Sequence, residues 1–310
     1  IINLYWRVSE GNVFIMSNDS PSGRHPEDTA FFGHPHGLST LFFTEMWERF
    51  SYYSMHAILL FYLIDSFSKG GLGMNTSIAT SIVAIYGALI YMSTVIGGFI
   101  SDRILGPRRT VFWGGVLIAL GNFILVLPLR FVGLYVSIVI IVLGTGFLKP
   151  NVSDMVGGLY SKEDTRRDAG FNIYYMGINI GALLAPFIVG WVGQTYSYHA
   201  GFALSTVGMV LGLIQYCIGS KKYLGKDGLL PNDPIKPDEK AKVIKQVSWV
   251  TAIVVVGLLI MYFTHTLNVN NIIFIITILG ILLPAIYFFN IFRSPKITPK
   301  DRKNVIVYIV

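Results

Sequence analysis

Thr44-Glu45-Met46-Trp47-Glu48-Arg49-Phe50-Ser51-Tyr52-Tyr53 places two carboxylates and a guanidinium inside an apolar run from about Leu38 to Phe67. As a helix, that run is long enough to cross a hydrocarbon layer of about 30 Å. A charge at mid-bilayer costs from about 2.5 to more than 10 kcal/mol, so such groups turn to a wet interior and find partners. The spacing i, i+3, i+4 puts Glu45, Glu48 and Arg49 on one helix face, and Tyr52 and Tyr53 extend it by a turn. A stripe this polar on a spanning helix points to a pathway or a binding cavity.

The rest of the chain agrees with a membrane setting. Its 310 residues are 53% apolar with a formal charge of +7, a balance foreign to soluble globular folds. Eight apolar segments follow one another at about 38–66, 77–101, 110–128, 132–156, 170–191, 200–219, 247–264 and 271–291, and a ninth starts at Val305. The expectation is an all-α membrane protein. Cys217 stands alone, so no internal disulfide forms. No cleavable leader is read, because the first apolar run is a full span. Residues 1–15 are expected to lie upstream of the native start, with Met16 opening a polar tail.

Charge sets the topology. Eighteen of the 24 Lys and Arg residues lie in alternate connections: 101–110, 157–169, 220–246 and the stretch after 292. The opposite connections hold only Lys69 and Arg130. By the positive-inside rule the basic connections and the N-terminus are cytoplasmic, in a multi-pass protein of the cytoplasmic membrane. The domains read as a cytoplasmic tail (1–36), a six-helix bundle (37–219), a Pro- and Lys-rich cytoplasmic linker (220–246), a helix pair (247–292), and a loop with the start of a next helix (293–310). A hydrophilic connection after six spans is where tandem six-plus-six transporters divide.

Lys149, in Gly144-Thr-Gly-Phe-Leu-Lys149-Pro150-Asn151, is a second charge within a span. At about 1.5 Å per residue it lies about 10 Å from the cytoplasmic face, close to the depth of Glu45 and Glu48. Coupled proton affinities between carboxylate and ammonium would make a proton-sensitive switch. Snorkelling of Lys149 to the headgroups is the plainer alternative. Asn179, with Gly177 and Gly181 beside it, serves either helix packing or an amine ligand. Tyr53 and Tyr91 offer hydroxyls to the same cavity or simply pack. Asp102 is expected to cap the next turn and pair with cations, latching two helices, and His56 reads as structural. Gly144, Gly146 and Pro150 suggest a bent or loosely packed stretch. Gly144-x-Gly146-x-x-Lys149 has no strand before it and is no phosphate loop. Asn75-Thr76-Ser77 matches a glycosylation acceptor too common to weigh. No nucleophile–base set and no metal-spaced His/Cys cluster is found, so neither an enzyme nor a metal site is expected.

These residues resemble the proton-dependent oligopeptide transporters of the major facilitator superfamily, in a prokaryotic form. The ExxER motif (Glu45, Glu48, Arg49), Gly97-Gly98…Asp102-Arg103…Gly106 and Phe171…Tyr174-Tyr175…Asn179-Ile-Gly181 carry the likeness, over about 37–310. The resemblance implies a major-facilitator six-helix N-terminal bundle plus two inserted helices, with the chain stopping at the start of the C-terminal bundle. It implies that Arg49 and Lys149 hold a peptide carboxylate, Tyr53 and Tyr91 line the site, and Asn179 helps bind the amine. Glu45, Glu48 and Lys149 would couple protons, while Gly98, Asp102, Arg103 and Gly106 form a gating motif. Partners would be di- and tripeptides, protons, the bilayer and a missing C-terminal half; no cofactor and no nucleic acid are expected. With only one half present, this polypeptide is expected not to complete a transport cycle. The alternatives are a same-family symporter of another small solute and a non-transporting half-bundle.

Overall fold

A computed structural model describes residues 28–161, 163–225 and 227–266, and beyond them 271, 272, 274, 275, 277–280, 282 and 289. Seven long helices succeed one another: α1 Gly37–Ile64, α2 Thr76–Leu105, α3 Pro107–Val126, α4 Arg130–Gly158, α5 Arg167–Thr195, α6 Tyr198–Tyr223 and α7 Pro237–Phe263. Helices α2 to α6 are long and apolar enough to span a membrane, and α1 runs for 28 residues with its charges inside. The described residues hold no strand, only a bridge between Phe31 and His34.

Local chemistry sets the helix ends. Asn75 caps α2 by accepting from the Ser77 N–H at 2.9 Å, a role its resemblance to a glycosylation acceptor concealed. Ser197 caps α6 by accepting from Ala200 N–H at 3.1 Å. Pro107 opens α3, where its missing N–H is no loss. Before it, Gly106 turns the chain at φ +81° with Leu229 and Leu230 against it.

Helix α1 stands at the centre, with α5 and α6 packed along it; α3 bridges α6 to α4, and α2 lies on α4. Lipid is as apolar as leucine, so close backbone approach between small residues has to hold the helices together. Gly177 and Gly181 of α5 lie against the Phe42 and Met46 carbonyls of α1, while Gly208 and Gly212 of α6 seat Phe50 and Trp47. Gly144 meets the Gly114 carbonyl of α3, and Gly146 meets Ser93 of α2. The stretch expected to be loosely packed is therefore closely packed at Gly144 and Gly146, and α4 is continuous through Pro150.

Two further expectations change. Helix α6 runs on to Tyr223 and α7 starts at Pro237, so much of 220–246 is helix. Pro237 at the first turn with Asp238 and Glu239 on the positive helix end explains the early start, which hydropathy does not register. Residues 28–36 are a packed turn, with Phe31 on Phe42 and His34 buried against Tyr160, 3.0 Å from its hydroxyl. The tail before residue 28, Lys162, Lys226 and the 293–310 segment lie outside the described residues, as does most of the 271–291 span.

Candidate functional site

Helix spacing delivers the charged triad as expected. Arg49 Nε lies 3.3 Å from Glu45 Oε1 and is hydrogen-bonded to Glu48. All three are buried, with Glu45 at 2%, Glu48 at 1% and Arg49 at 6% exposure. Two carboxylates share one guanidinium. Glu45 Oε2, Glu48 Oε1 and Arg49 Nη2 have no hydrogen-bond partner among the described residues. A buried ion cluster with spare polar atoms is costly, and it suits a site that exchanges partners.

Neighbouring helices complete the surroundings. Tyr174 of α5 faces Glu45, and Lys149 of α4 is within electrostatic reach of the same carboxylate. The Lys149 ammonium sits 4.4 Å from the centre of the Tyr91 ring on α2, a cation–π contact. It makes no ion pair within 4 Å among the described residues. Arg49 lies over the Tyr52 ring at 4.9 Å, and Tyr52 meets Tyr53 edge-on at 5.0 Å. Helices α1, α2 and α4 thus bring Arg49, Tyr52, Tyr53, Tyr91 and Lys149 to one region. Tyr91 is 63% exposed, so this region opens outward from the bundle.

Asn179 stands apart from these contacts: it is exposed and donates to the Tyr175 carbonyl of its own helix at 3.0 Å. His56 is half-buried between Tyr52 and Tyr86, with ring centres 4.5 and 5.5 Å away. Tyr174 was quoted in the motif without a role, and its facing of Glu45 follows only from the crossing of α5 over α1.

The latch exists with different partners. Arg103 pairs with Asp233 and, at 2.6 Å, with Glu239 at the start of α7. Asp102 instead accepts from Asn232 at 3.0 Å, and its carbonyl takes the Asp233 N–H at 2.9 Å. Buried Arg108 adds bonds to the Ser220 and Gly225 carbonyls at 2.8 and 2.5 Å. The 224–236 connection is thereby strapped across the α2–α3 corner with Gly106 beneath it, while Gly98 has open space around it.

Comparison with known proteins agrees with this arrangement. A family model described as the POT family matches residues 108–310. The uncharacterized transporter YclF of Bacillus subtilis is 49% identical over 279 residues, which are 90% of this chain and 56% of that protein. The di-/tripeptide transporter of Lactococcus lactis subsp. lactis is 45% identical over 285 residues, 91% of this chain and 57% of the relative. A crystal structure of a peptide transporter POT in complex with sulfate superposes with a TM-score of 0.82 at 50% identity, covering 90% of this chain and 57% of the other. A POT family transporter in complex with 5-aminolevulinic acid gives 0.86 at 45% identity, with 91% and 58% covered. The chain spans slightly more than half the length of these relatives.

Proposed function

Because this chain belongs to the POT family, a multi-pass membrane family whose relatives here are transporters and not enzymes, we propose that it forms the N-terminal half of a proton-coupled di- and tripeptide symporter. The observation that carries this reading is the buried Glu45–Glu48–Arg49 cluster set beside Lys149. In the present arrangement Arg49 is engaged by two carboxylates. Protonating one of them weakens that hold and frees the guanidinium for an incoming carboxylate, since a partner's charge sets how tightly an ion is bound. Lys149, held over Tyr91 with no carboxylate within 4 Å among the described residues, is the second cation for the peptide C-terminus. Tyr53 lines the same region, and Asn179 would take the peptide amine once its helix faces a second bundle.

Uptake then proceeds by alternating access, the two halves rocking about a shared site near the bilayer midplane. The proton gradient is the driving force, and no cofactor takes part. The N-terminus and the latch around Arg103 lie on the cytoplasmic side of the cell membrane, where the basic connections belong. The neighbour holding 5-aminolevulinic acid supports a second reading, a symporter of another small amine-carboxylate solute, through the same two cations.

The deciding experiment is uptake of labelled dialanine by vesicles containing the complete gene product, with and without an inward pH gradient. Accumulation that depends on the gradient supports the proposal. Uptake indifferent to the gradient removes proton coupling, and gradient-driven uptake of 5-aminolevulinic acid alone shifts the substrate to the second reading.

A further inference from the structure

Behind the charged cluster, α1 meets α3 and α6 at a polar junction that the cluster does not use. Helices α1 and α6 run antiparallel in a register fixed by close approaches of Gly201 to Ile58, Gly208 to Phe50, Gly212 to Trp47 and Gly219 to Thr40. Ser205 stands between Gly201 and Gly208 on one stripe, and Ser54 between Ile58 and Phe50 on the other. The two stripes therefore set serine against serine, both fully buried. One turn before Ser54, the Ser51 hydroxyl accepts from Asn122 Nδ2 of α3 at 3.0 Å. Helix α3 lies along α6, with Gly115 on Met209 and Leu213, so three helices meet here.

Ser54 Oγ, Ser205 Oγ and Asn122 Oδ1 have no hydrogen-bond partner among the described residues. Other buried hydroxyls on the spans behave differently: those of Ser93, Ser137, Thr44 and Thr110 each donate to a carbonyl three or four residues back. Asn122 uses its amide nitrogen on Ser51 and on the Ile118 carbonyl at 2.8 Å, which leaves its buried oxygen to be satisfied. Elsewhere along the seam Ile58, Phe50 and Trp47 fill the space over a glycine, whereas serine on serine puts only two hydroxyls there.

We propose that this α1–α3–α6 junction binds one water molecule, which donates to Asn122 Oδ1 and to one serine hydroxyl and accepts from the other. Buried waters typically make two to four hydrogen bonds to polar groups that otherwise lack them, and these three oxygens supply that number. The lining groups are neutral and too few for a metal cation, which takes about six oxygens or more. The bound water pins α1, the helix that carries the charged cluster, to the two helices behind it. Its presence does not depend on what the protein transports.

The test melts the complete gene product in detergent and runs a double-mutant cycle at the serines. With water bound, Ser54→Ala and Ser205→Ala each remove a hydrogen bond that is made, and each should lower the melting midpoint. The double variant should fall by about 1–3 °C less than the sum of the singles, because once the water is lost the second hydroxyl has no bond left to lose. The helix propensity of alanine enters both backgrounds equally and cancels from the cycle. A crystal structure of the same protein should show one density peak within about 3.2 Å of Asn122 Oδ1 and of both serine hydroxyls. Higher midpoints in the single variants would mean that the hydroxyls bond to nothing, and strictly additive losses would mean that they share no ligand; either overturns the site. So would a map with the serines bonded to each other or to their own helix carbonyls and no peak between them.

Discussion

Gly97 and Gly98 are adjacent on α2, yet alanine at each should act with opposite sign. A Cβ on Gly97 would overlap the Gly146 carbonyl oxygen of α4 and lie 2.9 Å from Phe147 Cα, whereas one on Gly98 meets nothing within 4 Å. The Gly97 Cβ would also lie 2.5 Å from the Gly146 carbonyl carbon, and carbon atoms rest about 3.5–4.0 Å apart, so α4 would have to retreat by about 1–1.5 Å along the contact. What blocks Gly97 is backbone, which cannot swing aside as a side-chain tip does. Overpacking of this kind costs about 1–3 kcal/mol. Alanine also regains about 0.5–1 kcal/mol over glycine through helix propensity, at both positions. Gly97→Ala should therefore lose up to about 2 kcal/mol net, and Gly98→Ala should be neutral or gain slightly. Thermal unfolding of the detergent-solubilised chain, followed by fluorescence-detected size exclusion, reads the difference. The midpoints should separate by several degrees, at roughly 2–4 °C per kcal/mol. Equal midpoints would show that α2 and α4 do not approach at Gly97, and would undo the packing described for both helices.

Arg49→Met should destabilise the chain by about 3–5 kcal/mol, because two carboxylates stay buried without their cation; adding Glu48→Gln should restore part of the loss in a double-mutant cycle of unfolding midpoints. Lys149→Ala in the complete transporter should abolish accumulation of dialanine against its gradient, and unchanged accumulation would remove Lys149 from coupling. His34 is held below the ordinary histidine pKa, first by burial and then by the nearby Arg166. The unfolded chain therefore takes up the proton first, so stability present above pH 6.5 is lost as pH falls toward the folded value. His34→Phe should flatten that acid limb in a pH series of melting curves. Gly106→Ala should cost about 1–3 kcal/mol from its backbone alone, since φ +81° with ψ 153° is a region open essentially to glycine only, before any contact with Leu229 and Leu230.

The reach of the sequence followed the range of the physics involved. Glu45, Glu48 and Arg49 were legible because helix periodicity alone brings them together, and no second element is needed to place them. Five of the bundle's helices, α2 to α6, were legible as spans for a like reason, since hydropathy is read within one segment. Lys149 was legible as a charge at matching depth, but its seat on Tyr91 depends on how α4 crosses α2. That crossing is set by Gly146 against Ser93, a contact between positions 53 residues apart. Gly144 and Gly146 were read as looseness because a glycine in one helix carries no sign of whether a neighbour fills the space. The start of α7 escaped because Pro237-Asp238-Glu239 signals a helix by capping, not by apolarity.

The latch shows where single-segment reading ends. Arg103 and Asp102 sit one residue apart, and the acid looked like the natural partner for nearby cations. In the fold the 224–236 connection supplies a better set: Asp233 and Glu239 for the guanidinium, and Asn232 for the carboxylate. Each exposed pair contributes little alone, about 0–1 kcal/mol. Joined to the two bonds of buried Arg108 and to the backbone bonds from Asp233 and Ile235, they tie the α2–α3 corner to the first turn of α7. A rocking bundle that moved this corner would have to carry the connection with it or break the strap. The strap is thus a mechanical coupling between the six-helix bundle and the helix that follows, built from residues no local pattern relates.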